Sequence, residues 1–137
     1  MYSARAVPER FRFAITAEPA DIDDLGHVSN LVYLRWVLAA ATAHSTARGW
    51  DLDAYRKLGN VWVVRRHELD YLGQVTVGQS LVAETWVDSW KQASCVRKTE
   101  LIRDGQVVAR AATTWAFMSL ASGRPQRIPD HLLAEFR

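Results

Sequence analysis

The sequence predicts an α+β fold in which one antiparallel sheet wraps around a single long helix. The chain has 137 residues, 49% of them hydrophobic and 23% charged, a composition typical of one globular domain over residues 1–137. A strand pattern comes first, a long apolar helical pattern follows, and four strand patterns come in succession after it. Most of those strands are joined by tight turns, which make them antiparallel neighbours. Wrapping the sheet around the helix is the most economical way to bury both.

The helical pattern is the strongest signal in the first half of the chain. Phe11, Phe13 and Ile15 alternate with polar or small residues, which indicates a short strand before the helix. Ser29 is suited to cap a helix, and apolar residues recur after it at helical spacing. Gly49 suits the end of this helix, so we expect about five turns. Because the helix is apolar around most of its circumference, we expect it to be largely enclosed.

The second half of the chain is rich in strand patterns. Residues 51–58 suit a short helix or a turn, and residues 129–137 suit one or two helical turns. Asp104-Gly105 is a typical two-residue hairpin turn. The four strand patterns cover residues 61–72, 80–90, 94–103 and 106–120.

Charge and cysteine content argue against several functional classes. The formal net charge is +2, and the arginines are scattered rather than gathered into the dense basic face of a nucleic-acid binder. With Cys95 as the one cysteine, no internal disulfide forms, which fits a reducing compartment. No apolar run reaches the roughly 18 residues of a membrane span, and residues 1–12 have no apolar signal core. We therefore expect a cytoplasmic protein.

Six tryptophans are many for a chain of this length. Large aromatic side chains concentrate in cores, interfaces and apolar pockets. Their number favours an oligomer or an apolar ligand without choosing between the two.

The segment 21–36 narrows the fold further. It reads DIDDLGHVSNLVYLRW, an Asp-x-Asp-x-x-Gly loop that leads directly into the long helix, with Tyr33 and Trp36 on the first helical turns. This arrangement resembles the signature of the 4-hydroxybenzoyl-CoA thioesterase family of hotdog-fold proteins. Tyr71, the turn around Gly78 and the later strands also resemble that family, so the likeness extends over residues 11–120.

The resemblance implies a hotdog fold, in which a five-stranded antiparallel sheet wraps around a long central helix. It implies a homodimer with the two sheets joined edge to edge, or a pair of such dimers, and active sites at the dimer interface. The implied substrate is a thioester of coenzyme A or of an acyl carrier protein, which would be hydrolysed to a free acid and a thiol. No metal and no cofactor are implied, because coenzyme A is part of the substrate.

The resemblance also assigns roles to residues of the loop. It places the catalytic aspartate at Asp23, which could act as a base on water or attack the thioester directly. Asn30 lies at the helix start, where N–H groups lack partners and the dipole is positive, and its N–H would hold the thioester oxygen. Gly26 would allow close approach of the substrate. His27 would line the site or hold the loop by hydrogen bonds.

Neighbouring residues have less direct roles in this interpretation. Asp21 is predicted to tie the loop down, and Asp24 to be solvated. Tyr33 and Trp36 suit the core or a pocket wall, the basic residues suit phosphate contacts or solvated strand positions, and His44 has no companion that suggests a site. The substrate-binding candidates are Val28, Tyr33, Trp36, Tyr71, Lys91, Arg97 and Lys98.

Two alternative functions fit the same layout. A hotdog hydratase or dehydratase would act on an enoyl thioester with a histidine paired to a carboxylate, and His27 could supply that histidine. A non-catalytic protein of this fold would bind an acyl thioester without turnover. The Asp-x-x-Gly loop favours the thioesterase, and the tryptophans and alanines indicate an apolar acyl pocket.

Overall fold

A computed structural model describes residues 8–137. Its strands are β1 (Phe11–Thr16), β2 (Asn60–Tyr71), β3 (Ser80–Trp90), β4 (Ser94–Arg103) and β5 (Gln106–Ser119). Its α-helices are α1 (Asn30–Ala47), α2 (Leu52–Leu58) and α3 (Asp130–Ala134), and one 3-10 turn covers Pro19–Asp21. The strands form one antiparallel sheet in the order β1-β3-β4-β5-β2. The predicted α+β architecture, a five-stranded sheet with a central helix, is confirmed.

Both ends of α1 lie where the local sequence rules place them. The Ser29 hydroxyl oxygen accepts a hydrogen bond from the N–H of Leu31 at 3.3 Å, which is the predicted cap. After Arg48, Gly49 has a φ of +84°, a left-handed conformation that glycine adopts without strain. The helix packs mainly against β3 and β1. Leu31 remains 72% exposed, so the expected enclosure of α1 holds for its sheet-facing side only.

The turns set the limits of the other elements. Asp104 and Gly105 have φ angles of 52° and 76°, the pair of left-handed residues that a tight hairpin between β4 and β5 requires. Residues 51–58 adopt the helical alternative because the Asp51 carboxylate caps α2, accepting from the N–H of Ala54 at 2.9 Å. Gly59, at a φ of +88°, ends that helix.

Two apolar clusters hold the helices against the sheet. The first surrounds the N-terminal half of α1 and includes Tyr33, Trp36 and Leu101. The second lies near the other end of α1 and contains Phe117 from β5 and Phe136 from the tail. The tail therefore completes the core at the C-terminal end of α1.

A polar pair is buried between α1 and β4. His44 is fully buried and Arg97 is 6% exposed. Nη1 of Arg97 donates to Nδ1 of His44 at 2.9 Å and to Oγ1 of Thr85 at 3.1 Å. Because Nδ1 accepts, a neutral His44 ring carries its proton on Nε2, which has no partner among the described residues. The sequence showed no companion of His44 that suggests a site, whereas the fold brings Arg97 to it from 53 residues away.

Burial lowers the pKa of His44 to about 4, and the charge of Arg97 adds to the shift. In the unfolded chain the pKa of the His44 imidazole is near 6.5. Between these values the unfolded state binds more protons than the folded state, so stability falls as the pH falls. His44 is neutral in the folded protein at neutral pH.

We predict that His44 makes the free energy of unfolding depend on pH. Its effect should be absent above about pH 7 and should destabilise the protein by on the order of 3 kcal/mol once the pH approaches 4. A His44→Gln variant keeps a hydrogen-bond acceptor but does not titrate. Urea denaturation of both proteins from pH 7 to pH 4 should show the wild type losing more stability than the variant. A constant difference between the two proteins across this range would contradict the prediction.

Candidate active site

The loop between the 3-10 turn and α1 is fixed by Asp21. This residue is 4% exposed, and its carboxylate accepts from the N–H of Glu18 at 2.9 Å and pairs with Arg35. Its carbonyl oxygen accepts from the N–H of Ser29 at 2.9 Å. These bonds join the two ends of the loop to each other, which fits the role predicted for Asp21 from the sequence.

Asp23 is exposed on this loop, and its carboxylate is held by the loop itself. Oδ1 accepts from the N–H of Leu25 at 2.9 Å and from the N–H of His27 at 3.4 Å. The Asp23 N–H also donates to the carbonyl of His27 at 2.8 Å. Among residues 8–137, no hydrogen bond uses Oδ2 of Asp23. One carboxylate oxygen is therefore fixed, and the other is available to water or to a substrate.

The start of α1 lies directly after this loop. The N–H of Leu31 is taken by the Ser29 hydroxyl, and the N–H of Val32 donates to the Ser29 carbonyl at 2.9 Å. The N–H of Asn30 has no acceptor within the part of the chain that the structure describes. A free N–H at a helix start, at the positive end of the dipole, suits an oxyanion.

Gly26 and Asp24 complete the loop. Gly26 has a φ of +84°, and a Cβ built on it would meet no heavy atom within 4 Å. Within one chain, glycine is therefore needed here for the backbone conformation rather than for space. Asp24 is exposed, as predicted, and its side chain makes no hydrogen bond within residues 8–137.

The apolar substrate-binding candidates occupy two environments. Val28, Tyr33 and Trp36 are 4%, 4% and 6% exposed and belong to the first apolar cluster. Tyr71, at the end of β2, is 49% exposed. Its hydroxyl donates to the carbonyl of Asn30 at 3.1 Å, and its ring stands edge-on to that of Tyr33. Of these four residues, Tyr71 is the one that reaches the helix start from the surface.

The basic candidates do not lie together. Lys91 is exposed in the turn between β3 and β4. Arg97 and Lys98 are consecutive on β4, so their side chains point to opposite faces of the sheet. Arg97 is buried beside His44, whereas Lys98 is partly exposed. The structure therefore separates three residues that the sequence analysis grouped as phosphate contacts, and it removes Arg97 from the surface.

A cavity of about 200 Å³ lies near the C-terminal end of α1. Its mouth is marked by the exposed residues Thr42, Thr46 and Leu52 of α1 and α2. About 22 Å of helix separates Asn30 from Ser45 in its wall, so the cavity is remote from Asp23. Buried Cys95 and Arg97 contribute to the wall. Its aromatic side chains are those of Trp50, Tyr55, Trp62, Trp90, Trp115 and Phe136.

The tryptophans and alanines indicated an apolar pocket, but the sequence did not place this cavity because its walls come from residues far apart in the chain. The number of tryptophans was the available signal, since four of the six lie in the wall. Elsewhere, residues 8–137 contain no cluster of three or more histidine, cysteine or acidic side chains that could hold a metal ion. None of the helices in this range has the length and apolar character needed to cross a membrane.

Comparison with known proteins agrees with this architecture. The putative oleoyl thioesterase from Lactobacillus plantarum is 18% identical to this chain, with a TM-score of 0.91. The match covers 96% of this chain and 52% of the Lactobacillus protein, so the present chain spans about half the length of that protein. A hypothetical protein from Staphylococcus aureus, solved in complex with CoA, is 13% identical with a TM-score of 0.88, over 97% of this chain and 85% of that one.

A third structure is the 1,4-dihydroxy-2-naphthoyl-CoA thioesterase from Synechocystis. It is 16% identical with a TM-score of 0.85, over 93% of this chain and 95% of that one. At these identities the likeness establishes the fold. No curated protein is detectably similar in sequence. The model of the thioesterase-like superfamily matches residues 17–136. The chain therefore belongs to the thioesterase-like superfamily, as the resemblance predicted, and its sheet and central helix form a hotdog fold.

Proposed function

We propose that this protein is a thioesterase that hydrolyses an acyl thioester of coenzyme A or of an acyl carrier protein. The observation that carries the proposal is that the loop holding Asp23, with one free carboxylate oxygen, leads directly into the start of α1, where the N–H of Asn30 has no acceptor among residues 8–137. Two solved structures of the same fold support coenzyme A as part of the substrate. One of them was solved with CoA, and the other is a CoA thioesterase.

The proposed reaction needs a nucleophile and a donor for the developing oxyanion. Oδ2 of Asp23 would take a proton from water as it attacks the thioester carbon, or would attack that carbon itself to form an anhydride that water then opens. The Asn30 N–H would donate to the carbonyl oxygen as it becomes negative. On either route the tetrahedral intermediate collapses by breaking the carbon–sulfur bond, and the thiolate leaves and takes up a proton. The acyl group is released as a carboxylic acid, directly when water attacks or after water has opened the anhydride.

The loop geometry favours hydrolysis over hydration of a double bond. A hydratase of this fold would be expected to pair a histidine side chain with a carboxylate. Within the described range, no histidine side chain makes a hydrogen bond to a carboxylate, and the bonds between His27 and Asp23 use the main-chain N–H and C=O of His27. Asp23 alone is therefore the group we propose for the chemistry.

The free surface beside Asp23 is apolar. Leu25 is 80% exposed and Leu31 72%, and Tyr71 and Leu72 at the end of β2 are 49% and 55% exposed. Isolated exposed apolar residues are ordinary, but a group of them beside a candidate site suits an interface or a ligand. We propose that this surface contacts both the acyl group and a second copy of the chain.

The edge strand β2 supports a homodimer. It is 12 residues long, pairs with β5 on one side, and is the last strand of the sheet on the other. An open edge of this length leaves a row of unpaired N–H and C=O groups that another strand can pair with. We propose that two copies join through β2 about a twofold axis, which would place the two apolar surfaces near the junction.

We predict that the protein is a dimer in solution and that Val63→Lys on β2 weakens it. Val63 is 40% exposed, and a lysine there would place a charge in the proposed interface between the two β2 strands. The control is Val77→Lys, which adds the same charge at a 54% exposed position between β2 and β3. Light scattering across a dilution series should show dissociation at higher concentration for Val63→Lys than for Val77→Lys. A monomeric wild type would contradict the proposed dimer.

We also predict that Asp23→Asn lowers turnover by roughly 10²–10⁴-fold, the typical contribution of a positioned base. Asparagine keeps the Oδ1 acceptor for the amides of Leu25 and His27, so the loop should keep its shape while the charge is lost. The control is Asp24→Asn, the neighbouring exposed carboxylate, which should change turnover by only a few-fold. The measurement is thiol release from a panel of acyl-CoA substrates, with circular dichroism to confirm folding.

Three outcomes would oppose this assignment. Equal losses in the Asp23 and Asp24 variants would remove the special role of Asp23. Reversible hydration of an enoyl thioester without thiol release would favour a hydratase. Saturable binding of acyl-CoA with no turnover of any thioester would favour a binding protein.

A further inference from the structure

Arg97 brings a positive charge into the interior with no negative partner among residues 8–137. It takes part in none of the ion pairs within residues 8–137. Burial lowers its pKa to about 10, so the guanidinium remains charged at neutral pH. Residues 1–7, MYSARAV, contain no acidic residue that could serve as a counter-ion.

The neighbours of Arg97 are neutral. His44 accepts a hydrogen bond from it as the uncharged ring. Burial raises the pKa of Cys95 to about 12 and also raises the pKa of Tyr55, so the thiol and the phenol both stay protonated. Hydrogen bonds to His44 and Thr85 satisfy part of the guanidinium, but they do not compensate its charge. Buried charges in proteins are normally paired, so the charge of Arg97 calls for an anion from outside the fold.

The remaining donors of Arg97 are available to such an anion. The two hydrogen bonds it makes within the described residues both use Nη1, which leaves Nε and Nη2 without a protein acceptor. Arg97 also forms part of the cavity wall. Two neighbouring guanidinium donors match the two oxygens of a carboxylate. The charge and the donor geometry both fit a carboxylate in the cavity.

The rest of the cavity suits an aromatic body. Its wall includes the rings of Trp50, Trp62 and Trp90, and flat aromatic surfaces stack favourably on one another. The volume of about 200 Å³ exceeds the roughly 150 Å³ that accommodates benzene in a cavity of a folded protein. The size therefore admits one aromatic ring with a carboxylate attached. Asp51, the acidic residue of the wall, is exposed and engaged as the cap of α2.

We propose that this cavity binds a single-ring aromatic carboxylate, with its carboxylate on Arg97 and its ring among the tryptophans. The site is distinct from the proposed thioester site, because most of the length of α1 lies between the cavity and Asp23. The proposal therefore stands independently of the thioesterase activity. It adds a free acid, rather than a thioester, to the ligands of this protein.

The test uses benzoate and its uncharged counterpart benzamide as probes of the full-length protein. Four tryptophans in the wall make intrinsic fluorescence a direct readout, and calorimetry gives the affinity. We expect saturable binding of benzoate, with benzamide binding at least tenfold more weakly because it lacks the charge. Arg97→Met should weaken benzoate binding at least tenfold. Arg110→Met removes an exposed arginine from β5 and should leave the affinity unchanged.

A second variant keeps the test valid if Arg97→Met does not fold. Thr46 is exposed at the mouth of the cavity, so Thr46→Trp should obstruct entry while Arg97 stays in place. We expect this variant to lose benzoate binding while its circular dichroism spectrum stays that of the wild type. Equal affinities for benzoate and benzamide, unchanged binding by a folded Arg97→Met, or no saturable binding of benzoate by the wild type would each overturn the proposal. No thioester is present, so the result is separate from any failure of the thioesterase proposal.

Discussion

The packing of α1 against β1 and β3 is the contact on which the rest of the structure depends. Each end of this helix is fixed by polar groups rather than by apolar contact alone. At its start, Ser29 caps the first turn and Asp21 joins the two ends of the preceding loop. Near its end, His44 meets Arg97 from β4. A helix fixed in this way holds two candidate sites in constant positions, the Asp23 loop at one end and the aromatic cavity at the other.

Local rules predicted the elements whose causes are local. The Ser29 cap, the Asp104-Gly105 hairpin and the limits of β3 and β4 follow from single residues and from alternation along the chain. The tie made by Asp21 also followed from its place in the loop. In each case the partner atoms lie within a few residues, or the backbone conformation belongs to the residue itself. The order of helical and strand patterns supplied the central helix and the sheet around it, and the resemblance of the loop to a known family supplied the superfamily.

What sequence reasoning missed depends on distant pairing. Arg97 and Lys98 differ by one position, and only the register of β4 against β3 and β5 decides which of them is buried. Both were candidates for phosphate contacts or for solvated strand positions, but a strand cannot present consecutive side chains to one ligand on one face. The companion of His44 is 53 residues away, and no local pattern marks it. The cavity likewise exists only after α1, α2, the tail and four strands have come together.

One candidate site has a negative charge in solvent, that of Asp23, and the other has a positive charge in the interior, that of Arg97. This difference decides how each site can act. Asp23 is solvated on a loop that holds one of its oxygens, so its charge costs little in the free protein and would be available for the proposed chemistry once a substrate excludes water. Arg97 is already desolvated, so its charge is costly until an anion arrives. The exposed carboxylate of Asp23 and the exposed apolar residues beside it still need pocket walls that exclude water. A second copy joined through β2 would supply those walls. A buried cation in an existing cavity needs only its ligand. The proposed thioester site would therefore be completed by dimer assembly, whereas the proposed carboxylate site would be complete within one chain.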